Sequence, residues 1–219
     1  MASIDIREIF EDPSVAELAE AITAKDDARV RQLAPKVDLA ARGDQNVTLL
    51  EWALLNQNVS AMNILLDAGA DPAQTGVDDS TVVHMAAAAN DPVYLQALLS
   101  HGADPNVPDA GNGATPLSAA LMGDRTDQFK MLLAAGANPD HPDHGGNTAL
   151  HVAGLINRPQ RAMDLLEAGA NAAAKNAQNA TFEEYLFVTD PELLNEEKKR
   201  ELDALVTWLR AHPTQGADG

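Results

Sequence analysis

The heptapeptide Leu65-Leu66-Asp67-Ala68-Gly69-Ala70-Asp71 recurs three times along the chain, each copy 33 or 34 residues after the previous one. The later copies are Leu98-Leu99-Ser100-His101-Gly102-Ala103-Asp104, Leu132-Leu133-Ala134-Ala135-Gly136-Ala137-Asn138 and Leu165-Leu166-Glu167-Ala168-Gly169-Ala170-Asn171. A fixed period of this length is typical of stacked units, none of which buries its apolar face alone. Such stacks present a long shaped surface rather than a deep pocket, so we expect protein recognition.

A second phrase has the same period and opens with threonine. It starts as Thr48-Leu49-Leu50-Glu51-Trp52-Ala53 and returns at Thr81, Thr115, Thr148 and, in eroded form, Thr181. The five threonines are spaced 33, 34, 33 and 33 residues apart. Two independent phrases in one register indicate a repeated unit that extends over residues 43–190.

The two phrases together are similar to the ankyrin repeat, in which T-P-L-H-x-A opens a first helix and L-L-x-x-G-A-D closes a second. The resemblance implies an all-α solenoid of helix-turn-helix units. About four such units, plus the eroded last one, fill residues 43–190. The motifs are specific for the fold but indicate almost nothing about a chemical activity.

Local physical chemistry supports the same architecture. Threonine at the start of each first helix can accept a backbone N–H that has no partner within the helix. Gly69 and its equivalents follow the paired leucines, where a left-handed conformation ends the second helix and glycine tolerates it best. Pro72, Pro105 and Pro139 then prevent the helix from continuing.

We expect residues 1–42 to form a degenerate N-terminal capping unit. Asp12-Pro13-Ser14 can open a helix that reaches Ala24, and residues 27–33 can form a second one. Leu33 falls near the register of Leu65, as expected for an atypical first repeat.

Residues 191–212 are predicted to be a C-terminal capping helix that starts at Asp190-Pro191 and reaches Ala211. It presents apolar side chains at helical spacing, namely Leu193, Leu194, Leu202, Leu205, Val206, Trp208 and Leu209. This stripe is interpreted as packing on the last repeat, with a partner-binding helix as the alternative. Residues 213–219 are expected to be a disordered tail.

Composition excludes several classes of protein. The chain has no cysteine, so neither a disulfide framework nor a cysteine-based metal site can form. The acidic N-terminus does not resemble a secretory signal, and no stretch approaches the length of a membrane span. We therefore expect a cytoplasmic protein, or a periplasmic one if a signal peptide has been removed.

Charge is the second informative feature of the sequence. The formal net charge is −18, and residues 43–124 contain ten acidic residues but no lysine or arginine. Nucleic acid and anionic membranes are disfavoured as ligands, because their phosphates need positive charge. A basic protein partner would be attracted and oriented by this field. The alternative is that the acids only keep the protein soluble.

In a stack of this kind, the loops before the first helices project as fingers and the first helices line the concave side. Finger tips are predicted at Asp44, Gln45, Val47, Val77, Asp78, Asp79, Ser80, Asn112, Ala114, His144 and Asn147. On the concave helices, the fourth residue after each threonine includes Trp52 and Met85. Aromatic residues are common binding hot spots, although Trp52 could equally serve packing.

No catalytic, cofactor or metal site is expected. His84 and His151 occupy the T-x-x-H position, at which the resemblance implies a tie between adjacent loops. His141 and His144, with Asp140 and Asp143, could bind a metal but are better interpreted as a variable finger. No phosphate-binding, zinc-protease, nucleophile-elbow or dinucleotide motif is present.

Three functional hypotheses remain open at this stage. The first is an immunity protein, resembling free-standing bacterial ankyrin proteins, which is monomeric when free and neutralises a basic toxic effector. The second is a regulatory or assembly scaffold for a housekeeping protein. The third is an enzyme, a hypothesis that only the weak cluster around His141 and His144 supports.

Overall fold

The computed structural model describes residues 6–186 and 194–212, and these ranges contain α-helices, short 3-10 turns and two isolated β-bridges. The helices are α1 (Ile6–Ile9), α2 (Pro13–Thr23), α3 (Asp27–Leu33), α4 (Leu49–Leu55), α5 (Val59–Asp67), α6 (Val82–Ala88), α7 (Val93–Ser100), α8 (Pro116–Met122), α9 (Thr126–Ala134), α10 (Ala149–Leu155), α11 (Pro159–Glu167), α12 (Phe182–Leu186) and α13 (Glu196–Ala211). The predicted all-α solenoid of helix pairs is confirmed.

The helices form two layers. In the inner layer, α2, α4, α6, α8, α10 and α12 each contact the next one along the chain. In the outer layer, α3 packs on α5, α5 on α7, and α13 on α11. The core between the layers includes the first leucine of each pair and small residues of the inner helices, such as Leu65, Leu98, Ala86 and Ala120, all fully buried.

The end of each outer helix follows the prediction. Gly69, Gly102, Gly136 and Gly169 have φ between 81° and 96°, in the left-handed region. The N–H of Ala70, one residue further on, donates to the Leu65 carbonyl at 2.9 Å, which satisfies a carbonyl at the helix end. The chain then turns back toward the inner layer.

The threonine caps agree only partly with the prediction. Thr48 Oγ1 accepts the Glu51 N–H at 3.1 Å, and the Glu51 carboxylate accepts the Thr48 N–H at 2.8 Å, which makes a reciprocal capping box. Thr81 makes no cap bond, because its hydroxyl is instead hydrogen bonded to His84 Nδ1 at 2.9 Å.

The two chain ends give different outcomes. At the N-terminus, α2 and α3 occupy almost the expected positions, with Asp12 as the N-cap of α2, and α1 precedes them unpredicted. At the C-terminus, α13 begins at Glu196, not at residue 191, because the Asn195 side chain caps it by accepting the Lys198 N–H at 2.8 Å. Asp190, Pro191, Leu193 and residues 213–219 lie outside the described residues.

The third residue of an inner helix ties that helix to the following finger loop. His84 Nε2 lies 3.0 Å from the Ala114 carbonyl. Burial lowers the pKa of His84, whereas the bond to this carbonyl and the charge of Asp109 raise it. His151 Nε2 lies 3.0 Å from the Ala180 carbonyl in the same arrangement. The predicted tie between loops is therefore confirmed for both histidines.

In α4 this position holds Glu51, which is completely buried. Its carboxylate accepts the Val77 N–H at 3.2 Å, so the tie runs to an N–H and not to a carbonyl. Burial raises the pKa of Glu51, while hydrogen bonds from Thr48 and Val77 lower it. A Cβ atom on Gly76, next to Val77, would overlap the Glu51 carboxylate, so this loop needs glycine for space.

Replacing Gly76 with alanine should lower the free energy of unfolding by about 1–3 kcal/mol, as for other overpacked sites. The expected loss comes from overlap of the new Cβ atom with the Glu51 carboxylate. Denaturant titrations of Gly76→Ala, Glu51→Ala and the double variant measure the coupling. The losses of unfolding free energy in Gly76→Ala and Glu51→Ala should be less than additive. Gly69→Ala is the control: alanine is strained there by the φ of 96°, but its Cβ would meet nothing within 4 Å, so its loss should add fully to that of Glu51→Ala. Additivity at Gly76 would contradict this assignment.

His84 makes stability depend on pH. Because its pKa is lowered in the folded state, the unfolded chain binds a proton more readily as pH falls below the ordinary histidine value of about 6.5. The His84 contribution is complete above that pH and declines through the window below it. The stability lost in His84→Gln, about 1–3 kcal/mol at pH 7.5, should shrink at pH 5.5. His141→Gln, in a finger loop, is the control, and a pH-independent loss for His84→Gln would contradict the prediction.

Candidate functional site

The finger loops are tight hairpins that precede α4, α6, α8 and α10, and we number them fingers 1 to 4. Each is closed by one backbone hydrogen bond of 2.7–2.9 Å, from Gly43 to Val47, Gly76 to Ser80, Asp109 to Ala114, and Asp143 to Asn147. Neighbouring loops are also joined, since the Ala110 N–H donates to the Asp79 carbonyl at 2.9 Å and the His144 N–H to the Asn112 carbonyl at 2.8 Å. Fingers 2 to 4 are therefore joined by backbone hydrogen bonds, and finger 1 contacts finger 2.

The tips of fingers 1 and 2 have unusual backbone geometry. Gln45 and Asn46 have φ of 54° and 64°, and Asp78 and Asp79 have φ of 52° and 60°. Fingers 3 and 4 place glycine, Gly113 and Gly146, in the left-handed region instead. Two successive left-handed residues with side chains are strained, and such strain is commonly found at functional sites.

The predicted finger residues differ in exposure. The exposed ones are Asp44, Gln45, Asp78, Asp79, Asn112 and His144, whereas Val77, Ser80 and Asn147 are half-buried. Val47 was expected at an exposed tip, and this was wrong. Its side chain is 6% exposed, because the hairpin closes over it between Gly43 and α1.

Two of these polar side chains support the loops themselves. Asn112 Oδ1 accepts the Ala114 N–H at 2.8 Å. Asn147 donates to both carboxylate oxygens of Asp143, at 3.1 and 3.2 Å, and its own Oδ1 accepts from Asn176 at 2.8 Å. Their conformational role is therefore visible in the structure, and partner contact stays a prediction.

Trp52 is half-buried and held from the side of the N-terminal unit. Its Nε1–H lies 3.1 Å from both the Ala19 carbonyl and Thr23 Oγ1, and its ring meets Phe10 edge-on with centroids 5.6 Å apart. The part of the ring left uncovered faces the concave surface. Met85, in the same position of the next unit, is also half-buried.

Sequence reasoning missed the most exposed large apolar residues. Leu55, Met122 and Leu155 are 55%, 68% and 56% exposed, and each lies seven residues after a repeat threonine, at the end of an inner helix. Ala88 occupies the equivalent position of α6 and is also exposed. The register itself contained this signal, because residue seven lies one helical turn beyond residue four on the same helix face.

Two open hollows meet at Leu55, and together we call them the concave trough. The hollow on the finger side has a volume of about 290 Å³ and is lined by Asp44 and Gln45 and by the apolar Ile9, Val47, Trp52, Leu55, Val77 and Met85. The second, of about 430 Å³, lies toward the inner–outer turns and is lined by Leu54, Leu55, Gln57, Ala89, Asn90, Asp91 and Tyr94. The trough thus runs along the inner helices α4 and α6, from the finger loops to the inner–outer turns.

The electrostatic surroundings of the trough are negative. Asp44, Asp78 and Asp79 stand at the finger end and Asp91 at the other, all of them exposed. None of the four forms an ion pair with a cation in the part of the chain that the structure describes. The arrangement can therefore attract cations at either end of an apolar floor.

Within residues 6–186 and 194–212, no three His, Asp or Glu side chains converge as metal ligands would. His141 Nδ1 lies 3.2 Å from the Pro142 carbonyl. No helix in these ranges has the length and apolar composition needed to cross a membrane.

Comparisons with known proteins identify the repeated unit. Residues 83–179 match the family model described as ankyrin repeats, in three copies. Protein PhlB of Serratia liquefaciens is 44% identical over 149 residues, which is 68% of this chain and 66% of PhlB, just under two thirds of its length. Repeats of this kind are protein-binding modules in general.

Solved bacterial structures support the same fold. The ankyrin repeat protein EF0377 superimposes with a TM-score of 0.72 at 22% identity, covering 88% of this chain and 97% of that one. An ankyrin repeat domain from Acinetobacter baumannii AYE gives a TM-score of 0.72 at 25% identity, covering 87% and 96%.

The strained tip of finger 2 can be tested by substitution at Asp78. Asparagine tolerates the left-handed region, so Asp78→Asn should change the free energy of unfolding by less than about 0.5 kcal/mol. Asp78→Ala should lower it by about 1 kcal/mol, because the Cβ penalty is no longer offset by a polar side chain. Denaturant unfolding distinguishes these outcomes. Equal stability of the two variants would contradict a left-handed Asp78.

Proposed function

We propose that this chain, which belongs to the ankyrin-repeat proteins, is a non-enzymatic module that binds a basic protein through fingers 1 and 2 and the neighbouring concave helices. We further propose that the partner is a toxic effector, which the bound chain neutralises. The observation that carries the first proposal is the row of exposed carboxylates beside an apolar trough, in a span without lysine or arginine.

The charge distribution supports a basic partner. Asp44, Asp78 and Asp79 are exposed, and none of them forms an ion pair with a cation within residues 6–186 and 194–212. Long-range attraction would raise the association rate, and the uncharged concave surface would supply contact area. The acidic surface supports a basic partner, for which a toxic effector is our proposal and a housekeeping protein bound by a scaffold is the alternative.

Neutralising two finger charges tests the site. Asp78→Asn with Asp79→Asn removes two carboxylates while keeping side chains that the backbone tolerates. Affinity for the protein captured from the source cell should fall about tenfold at low salt, since rim charges act mainly on association. Asp71→Asn with Asp104→Asn removes two exposed carboxylates elsewhere and should have little effect. Equal affinities of the two double variants, or a partner insensitive to salt, would contradict the proposed surface.

Expression of the captured partner tests the proposed role. A toxic effector should arrest growth when produced alone and be harmless when this chain is produced with it. The Asp78→Asn, Asp79→Asn variant should protect less well than the wild type in the same cells. A partner that is harmless alone would contradict neutralisation and favour the scaffold, while leaving the binding surface in place.

A further inference from the structure

The concave trough has the features of a binding site for one short polypeptide segment. Its two hollows share Leu55, whose side chain is 55% exposed although it lies between the half-buried Trp52 and the inner–outer turns. No described helix or loop covers the Leu55 side chain. Covering this apolar floor with an external apolar group is therefore favourable, by about 25 cal/mol per Å² of apolar surface removed from water.

The walls of the trough are organised before any partner arrives. The two Nε1–H contacts of Trp52, to the Ala19 carbonyl and Thr23 Oγ1, and its edge contact with Phe10 fix the orientation of the indole ring. Val77 is fixed by the bond from its N–H to the buried Glu51. Because these groups are already immobilised, binding loses little side-chain entropy there.

The two ends of the trough define what kind of segment fits. Asp44 lines the finger end, where Asp78 and Asp79 also stand, and Asp91 lines the other end. We propose that the trough binds a segment with apolar residues in the middle and a cationic residue at each end, contributed by the partner of the proposed function. Charge complementarity selects this occupant over an acidic or uniformly apolar one.

The dimensions of the trough set the length of the segment. The seven residues of α4, Leu49–Leu55, extend about 10 Å at a rise of about 1.5 Å per residue. The loop at each end lengthens the trough beyond the helix. Its full length then corresponds to about five or six residues in extended conformation, at about 3.3 Å each. The segment is therefore short enough to be reproduced by a synthetic peptide.

The probe is a fluorescein-labelled peptide with one arginine at each end and Leu-Phe-Leu in the centre, and its binding is followed by fluorescence anisotropy. Leu55→Ser should weaken its binding about tenfold, because the central apolar contact is lost. Leu155→Ser is the matched control, since Leu155 occupies the same helix position, is 56% exposed and lies outside the trough. This variant should bind as the wild type does.

Two further peptides separate charge from apolar contact. One has Ser-Gly-Ser in the centre, the other has glutamate in place of arginine, and neither should bind with comparable affinity. No saturable binding of the first peptide, equal binding of the Ser-Gly-Ser peptide, or equal weakening by Leu55→Ser and Leu155→Ser would overturn this inference. A captured protein that is bound equally by wild type and Leu55→Ser would overturn it while leaving the proposed function intact.

Discussion

Buried polar bonds from α4, α6 and α10 to the following loop are the constraint on which the proposed recognition surface depends. His84 and His151 bond to the carbonyl one residue before the next repeat threonine, whereas Glu51 accepts the N–H four residues before it. The buried Ser118 occupies this position in α8, and there the backbone bond from His144 to Asn112 holds the next finger. The apolar core alone would leave these polar loops without a fixed position.

The same constraint explains why strain and negative charge can persist at the tips of fingers 1 and 2. With the base of the loop fixed by Glu51 and closed by the Gly76–Ser80 bond, Asp78 and Asp79 are held in the left-handed region. They directly follow Val77, which lines the concave trough together with Asp44, Trp52 and Leu55. Backbone strain of this kind is commonly found at functional sites.

The sequence predicted most of the architecture, because the two repeated phrases encode local events. The glycine after each leucine pair ends a helix, and Asp12-Pro13 starts one, whatever the surroundings. It predicted less where burial depends on neighbours. Val47 is covered by α1, a helix that the pattern did not reveal, and α13 starts at the Asn195 cap and not at the earlier Asp-Pro signal. The exposed Leu55 was missed because apolar residues were assigned to the core.

Hydrogen exchange of the isolated complex, compared with the free protein, tests the central claim most directly. Binding to fingers 1 and 2 and the concave trough should slow exchange in peptides that cover residues 43–55 and 76–88. Peptides from the outer helices α5 and α7 should exchange as before. Protection confined to those outer helices or to α13, with the finger peptides unchanged, would contradict the account.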